Sequence, residues 1–324
     1  MNKLLALSAT LLLAGCASSP VPPVPQGSAD YIRSASAVPT AIDKRLREIG
    51  LVSAPEPTRP LYAPLQPAEP FAGVQIIRDV RYGSAERHRL DVFTPQGASG
   101  RPVLLFMHGG AYVGGDKHLA GSPFYTNIGA WAARNGMVGV NMTYRLAPQA
   151  KWPAAQEDIA SAIAWVRANV AAHGGDAKRI YLMGHSAGAS HVANYLAHPQ
   201  FHTKAEGAGV AGAILVSAFY DFDKLNATQT FFQYHGNDRA QYVARSPLKG
   251  LMESKVPMLF AVAQYDTPDF NKQADLLKDA FCKAGRCPRF VMLTGHSHMS
   301  EIYSVNTADT GLTQEILALV QPGR

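Results

Sequence analysis

Apolar residues follow two alternating rhythms along this chain, and the alternation predicts an α/β architecture. Short apolar runs recur at residues 103–107, 138–142 (interrupted by Asn141), 180–183, 213–216, 258–262 and 290–293. A run of this length with no polar face reads as a strand buried on both sides, as in parallel sheets. Between the runs the spacing changes to that of a helix face. Ile159, Ile163, Val166 and Val170 share one side of a helix that Pro153 opens and Gly174-Gly175 closes. Residues 189–197 form a helical stretch, Phe270, Ala274, Leu277 and Phe281 mark another helix face, and residues 312–320 a last helix. Strands alternating with helices imply a mostly parallel central sheet flanked by helices, with right-handed crossovers. Residues 74–82 and 89–93, joined at Gly83-Ser84, read as an antiparallel lead-in, so the sheet is expected to begin near Val74.

Upstream of Val74 the pattern is different. Lys3 precedes an apolar stretch at 4–13, far shorter than the roughly 20 residues of a membrane-spanning helix, and is read as a targeting segment. Pro20, Pro22, Pro23 and Pro25 lie among small polar residues, which makes an extended, semi-rigid tether. Thr40 with Asp43 three residues on suggests a capped helix over 41–49, stopped by Gly50. Residues 52–70 are again proline-rich and are expected to wrap the surface. The resulting division is a leader over 1–15, a tether over 16–28, an N-terminal surface or cap segment over 29–73, and one folded domain over 74–324.

The chain's 324 residues suffice for a single large α/β core, and 47% apolar with 17% charged residues is ordinary for a globular fold. The net charge of +6 comes without a Lys/Arg run or a basic stripe interleaved with aromatics, so nucleic acid is not an expected partner. A slight preference for anionic membrane surfaces and a merely solvated basic face are both compatible with it.

Candidate chemistry sits at the ends of the apolar runs. The run at 180–183 leads into Gly184-His185-Ser186-Ala187-Gly188 and then a helix, the context in which Gly-x-Ser-x-Gly pushes a serine hydroxyl out of a tight turn. Both glycines are expected where a Cβ would strike a neighbouring strand or helix. Taken alone, the pentapeptide also suits a plain turn whose serine caps the helix. The run at 103–107 leads into His108-Gly109-Gly110-Ala111, where bare glycines expose N–H groups to a developing negative charge. A phosphate loop at 110–117 is excluded, because Asp116 would repel phosphate and His118 replaces a magnesium-binding hydroxyl. Asp266 follows the run at 258–262, just past a strand's C-terminal end, where α/β sheets place their sites. A helix cap is the bland alternative for it. Past the run at 290–293 come His296 and His298, either of which would serve as a base for Ser186. A His-x-His pair also suggests metal, but no third ligand accompanies it at suitable spacing, and no metal or other cofactor is expected.

His108-Gly109-Gly110, Tyr144-Arg145-Leu146-Ala147-Pro148, the pentapeptide around Ser186, Asp266 and His298 together resemble the α/β-hydrolase esterases of the hormone-sensitive-lipase and carboxylesterase groups, over roughly 74–320. The order Ser, Asp, His is the one that fold uses. The resemblance implies an α/β-hydrolase fold with a small cap. It implies Ser186 as nucleophile, His298 as general base and then acid, and Asp266 orienting the imidazole. The N–H groups of Gly109, Gly110 and Ala187 would form the oxyanion hole. His298 is preferred over His296 because the family's histidine is usually followed by an apolar residue, here Met299. Ala111 departs from the third glycine of many members, and Thr267-Pro268 from their frequent Pro-Leu.

Leu13-Ala14-Gly15-Cys16 resembles the lipobox of bacterial lipoproteins, which implies lipid attachment at Cys16. Ala17 after the cysteine favours the outer membrane of a bacterial envelope; an ordinary secretory signal is the alternative. In that oxidising compartment Cys282 and Cys287 are expected to close a small disulfide loop before His298. Residues 221–254, with Phe231, Phe232, Tyr234 and Tyr242, occupy the place of a cap, and its shortness favours small or short-acyl substrates. The same aromatics would equally pack against the sheet. The expected function is a serine hydrolase of small carboxylic esters acting through an acyl-enzyme. An arylformamidase- or peptidase-like hydrolase of C–N bonds and a hydrolase-fold binding protein without activity are the rivals. The expected partners are a small ester substrate and, through the lipid, a membrane.

Overall fold

The computed structural model describes residues 31–321, so the leader, Cys16 and the tether over 16–28 lie outside the described residues. The apolar runs become strands of one nine-stranded sheet. In chain order these are β1 (Ile32–Arg33), β2 (Val74–Arg81), β3 (Arg89–Pro95), β4 (Arg101–Met107), β5 (Val138–Met142), β6 (Gly175–His185), β7 (Gly212–Val216), β8 (Met258–Tyr265) and β9 (Arg289–Ser297). Their spatial order is β1-β9-β8-β7-β6-β4-β5-β3-β2, and only β3 runs against the rest. The helices are α1 (Thr40–Ile49), α2 (Arg59–Tyr62), α3 (Thr126–Arg134), α4 (Ala154–Asn169), α5 (Ala187–Ala197), α6 (Gln229–His235), α7 (Ala240–Arg245), α8 (Leu248–Glu253), α9 (Pro268–Lys283), α10 (Ser300–Tyr303) and α11 (Thr313–Val320).

The apolar runs are explained by burial on both faces. On β4, Val103, Leu105 and Met107 share a core with Ile159 and Val166 of α4 and Val192 of α5. The alternate residues Leu104 and Phe106 share the opposite core with Ile128 of α3 and Ile316 of α11. β4, β6, β7, β8 and β9 each contribute to both cores, which is why none of them shows a polar stripe, whereas the edge strand β2 mixes half-buried and exposed residues. This mostly parallel sheet with helices on both faces is the α/β-hydrolase architecture.

Several expectations change. The sheet does not begin at Val74: β1 joins the far edge, pairing in parallel with β9, and Ser34 N–H donates to Met292 O at 3.1 Å. Thr40 does not cap α1. It is the helix's first residue, Pro39 holds the cap position, and no side chain caps that end. Gly50 ends the helix at φ 82°, its N–H reaching Leu46 O, a left-handed turn for which glycine is suited. Farther along, the N-terminal segment is tied to the end of α10, Gln66 Nε2 donating to Tyr303 O at 2.8 Å and Val305 O at 2.9 Å. Helices α6, α7 and α8 form the short insertion between β7 and β8. Its Phe231, Tyr234 and Tyr242 are at most 2% exposed and belong to the core, with Phe232 packed partly buried against them, the packing alternative for these aromatics. Among the described residues no helix is long and apolar enough to cross a membrane.

Candidate active site

The C-terminal ends of β4, β6, β7, β8 and β9 converge on one rim, where β6, β7, β8 and β9 lead to Ser186, Ser217, Asp266 and His298 and β4 leads to a glycine loop. β6 turns sharply into α5 at Ser186, whose φ of 57° and ψ of −124° are costly for a non-glycine residue. The turn is held by Ser186 N–H donating to Val216 O at 2.9 Å. The flanking glycines are required by close approach: a Cβ on Gly184 would lie 2.6 Å from the backbone of Ala189, and one on Gly188 2.3 Å from Met107 O.

His298 follows β9 and points its Nε2 at Ser186 Oγ, 2.9 Å away. Its Nδ1 lies 3.0 Å from Asp266 Oδ1 and 3.2 Å from Oδ2. Asp266 follows β8 and is fully buried. It does not cap α9, where Thr267 holds the cap position. Its charge is met by donors, Thr267 N–H at 2.7 Å on Oδ1 and Ser217 O–H at 2.6 Å on Oδ2. Ser217, directly after β7, is a partner that the sequence reading missed. The His298 ring is gripped between Phe270, stacked at 4.4 Å between centroids, and His185 at 4.8 Å. Phe219 stacks in turn on Phe270 at 4.3 Å.

His296 is committed elsewhere. Its Nδ1 faces Ser300 Oγ and its Nε2 faces Asp309 Oδ2, each at 3.1 Å, with Ser36 Oγ also 3.1 Å from Nε2. It lies within β9, which runs four residues beyond the apolar run that marked it.

The glycine loop after β4 approaches the serine from the side. A Cβ on Gly109 would come within 3.0 Å of Ser186 Cβ. Gly110 adopts φ 139°, and a Cβ there would overlap Gly114 O at 2.0 Å. Gly109 and Gly110 N–H have no backbone acceptor among the described residues. Ala187 N–H opens α5 and so has no acceptor within its helix. The Tyr144–Pro148 motif buttresses this loop. Tyr144 O–H donates to His108 O at 2.9 Å and its ring stacks on His108 at 4.5 Å, while Arg145 pairs with the buried Asp158 at 2.7 Å. Burial holds the His108 imidazole neutral, down to about 3.

Behind the rim lies Glu301 of α10, fully buried, its two oxygens without a hydrogen-bond partner. Ligating atoms of His185, His298 and Glu301 lie within 4.8 Å of one another. A metal there would have to take a nitrogen that His298 already commits to Asp266 or Ser186, so the donor set does not suit one. Away from the rim, Cys282 and Cys287 are joined in a disulfide between α9 and β9.

A hydroxyl, an imidazole and a buried carboxylate in series, beside free N–H groups, can move a proton from serine to a leaving group while an oxyanion is held. Comparisons with known proteins agree in fold. A truncated carbohydrate esterase from gut microbiota superposes with a TM-score of 0.65 at 19% identity, covering 79% of this chain and 99% of that one. The probable isoprenylcysteine alpha-carbonyl methylesterase ICMEL1 of Oryza sativa subsp. japonica is 37% identical over 138 residues, 42% of this chain and 31% of that protein. The chain thus spans about a third of the length of such methylesterase relatives. The kynurenine formamidase of Danio rerio is 27% identical over 252 residues, 76% of this chain and 82% of that protein. The family described as BD-FAE matches residues 90–270, more than half of the sequence, and the chain belongs to that family.

Proposed function

We propose that the protein is a serine hydrolase of small or short-acyl carboxylic esters. In this reading Ser186 Oγ attacks the ester carbonyl as His298 Nε2 takes its proton. The N–H groups of Gly109, Gly110 and Ala187 hold the resulting oxyanion. His298 then gives the proton to the departing alcohol, leaving an acyl group on Ser186. Water, deprotonated by the same nitrogen, releases the acid and restores the serine. Asp266 keeps the imidazole in the tautomer with its proton on Nδ1.

The observation that carries this reading is the series of contacts at 2.9 Å from Ser186 to His298 and 3.0 Å from His298 to Asp266. Hydrolysis of p-nitrophenyl acetate and butyrate tests it: Ser186→Ala is expected to lose at least 1,000-fold in kcat, in line with removal of a triad member (~10⁴ or more). Equal activity in the variant would overturn it. The formamidase likeness, long in both chains, favours a second reading in which the same groups cleave a C–N bond; kcat/KM for an N-formyl arylamine above that for the matching ester would decide for it.

We further propose lipid attachment at Cys16 and residence in a bacterial envelope, at the outer membrane. Support is the run Leu13-Ala14-Gly15-Cys16 followed by Ala17. Acyl chains add about 0.8 kcal/mol of membrane affinity per buried methylene, so such an anchor holds firmly. Metabolic labelling with palmitate should mark the protein and vanish in Cys16→Ala; label that persists in the variant refutes the anchor.

A further inference from the structure

Glu301 is the one buried carboxyl at the rim that the proposed reaction does not use. It sits in the first turn of α10, three residues after His298, with no accessible surface. Four groups face it from the neighbouring strand ends: His185 at the end of β6, Ser217 after β7, Asp266 after β8, and Tyr220 beyond β7. His185 Nε2 is 3.4 Å from Glu301 Oε1 and donates its proton to the backbone carbonyl of His298 at 2.9 Å.

We propose that Glu301 is a positioning residue for the triad: as an uncharged acid it packs His185 against the backbone and ring of His298 and leaves Asp266 the only anion behind the imidazole. This rests on the hydrolase reading above.

The argument is one of donor supply. Two buried carboxyl groups that feel each other's charge oppose each other's ionisation, because each anion raises the cost of the other. Donors decide which keeps its charge. Asp266 receives Thr267 N–H, Ser217 O–H and the imidazole N–H, whereas neither oxygen of Glu301 has a hydrogen-bond partner. An unpaired carboxylate there would face the full penalty of a buried charge. Burial first, and the Asp266 charge second, accordingly hold the Glu301 carboxyl well above its ordinary range, against a smaller downward pull from the Ser217 hydroxyl. His185 is neutral for the matching reason: burial, then the nearby His298, depress it well below its ordinary range. Glu301 and His185 are therefore not an ion pair. They form an uncharged bracket, and a second negative charge in it would pull the imidazole's affinity for protons upward and spoil it as a base near neutrality.

Infrared difference spectroscopy of the purified protein reads the protonation state without any turnover. The wild type should show a protonated-carboxyl C=O band at pH 7 that is missing in Glu301→Gln; no such band would overturn the uncharged acid even if esterase activity is found. Kinetics read the positioning. Glu301→Leu should lower kcat for p-nitrophenyl butyrate about tenfold with KM unchanged. Glu301→Gln, an uncharged isostere, should recover most of kcat with the same acid-limb midpoint in kcat/KM. A midpoint that falls by a pH unit in Glu301→Gln would mean that Glu301 is charged, and a wild-type kcat in Glu301→Leu would mean that it positions nothing. Should Glu301→Leu fail to fold, the band and the Glu301→Gln profile still decide. Absence of wild-type hydrolysis would count against the proposed function and leave the infrared result standing.

Discussion

Ser186 occupies a backbone conformation that an L-residue adopts at a cost of order 1–3 kcal/mol, and its neighbours are built to hold it there. Gly184 and Gly188 permit the approach of α5 and the glycine loop, and the Val216 carbonyl anchors the turn. The charge on Asp266 depends on equally specific partners. Ser217 supplies one of its short hydrogen bonds, and a bond to a charged group is worth about 1.5–3 kcal/mol. Ser217→Ala is therefore expected to lower kcat for p-nitrophenyl butyrate about tenfold or more with little change in KM. A wild-type kcat would show that Thr267 N–H and His298 suffice. Of these residues, Ser186, Asp266 and His298 were legible because each follows an apolar run at a strand end. Ser217 stands in the same kind of place, directly after β7, and that position was the available signal. Glu301 gave none: in sequence it resembles any surface glutamate opening a short helix, and only the packing of α10 buries it.

Elements were legible in proportion to how one-sided their surroundings are. The runs that became β4 to β9 stood out because a strand between two layers of helices has no polar face to disguise it. α4 and α9 were visible for the opposite reason, a single apolar stripe against solvent. α3 was not seen. Eight of its nine residues are buried, the polar Thr126 and Asn127 among them, so its polarity does not tell which face is inside. Gly129 within it also argues against a helix until its neighbour is known: a Cβ there would lie 2.2 Å from the Phe93 ring. β1 was missed because two residues carry no periodicity, and its pairing with β9 is a tertiary event. For the aromatics of the insertion between β7 and β8, composition left a substrate cap and core packing equally open, and the stacking of Tyr234 on Tyr112 at 5.4 Å is of the second kind.

For the molecule as a whole, the balance of buried neutral imidazoles sets the response to acid. His108 and His191 are both held down to about 3 by burial, and His185 and His235 are likewise depressed by burial first. In the unfolded chain these groups take up protons near 6.5. Between that value and about 3 the unfolded state binds more protons, so stability is full above pH 6.5 and drains as the pH falls. Each such histidine removes up to about 1.4 kcal/mol per pH unit in that window. The thermal midpoint should accordingly fall steeply from pH 6.5 to pH 4.5, and a flat profile over that interval would contradict the neutral assignments. The overall plan, a mostly parallel sheet with its chemistry at one rim, was legible from alternating patterns alone. The course of residues 31–73, from a strand on the β9 edge to Phe71 packed on Phe93 of β3, was not, because proline-rich segments carry no record of what they lie against.

The central claim is that Ser186, activated by His298, becomes acylated. It is tested most directly by treating the purified protein with a fluorophosphonate, which reacts with activated serines, and locating the adduct by peptide mass spectrometry. The account predicts one adduct per chain on the peptide bearing Ser186, lost in His298→Ala and kept in His296→Ala. No adduct, an adduct on another peptide, or loss only in His296→Ala would contradict it.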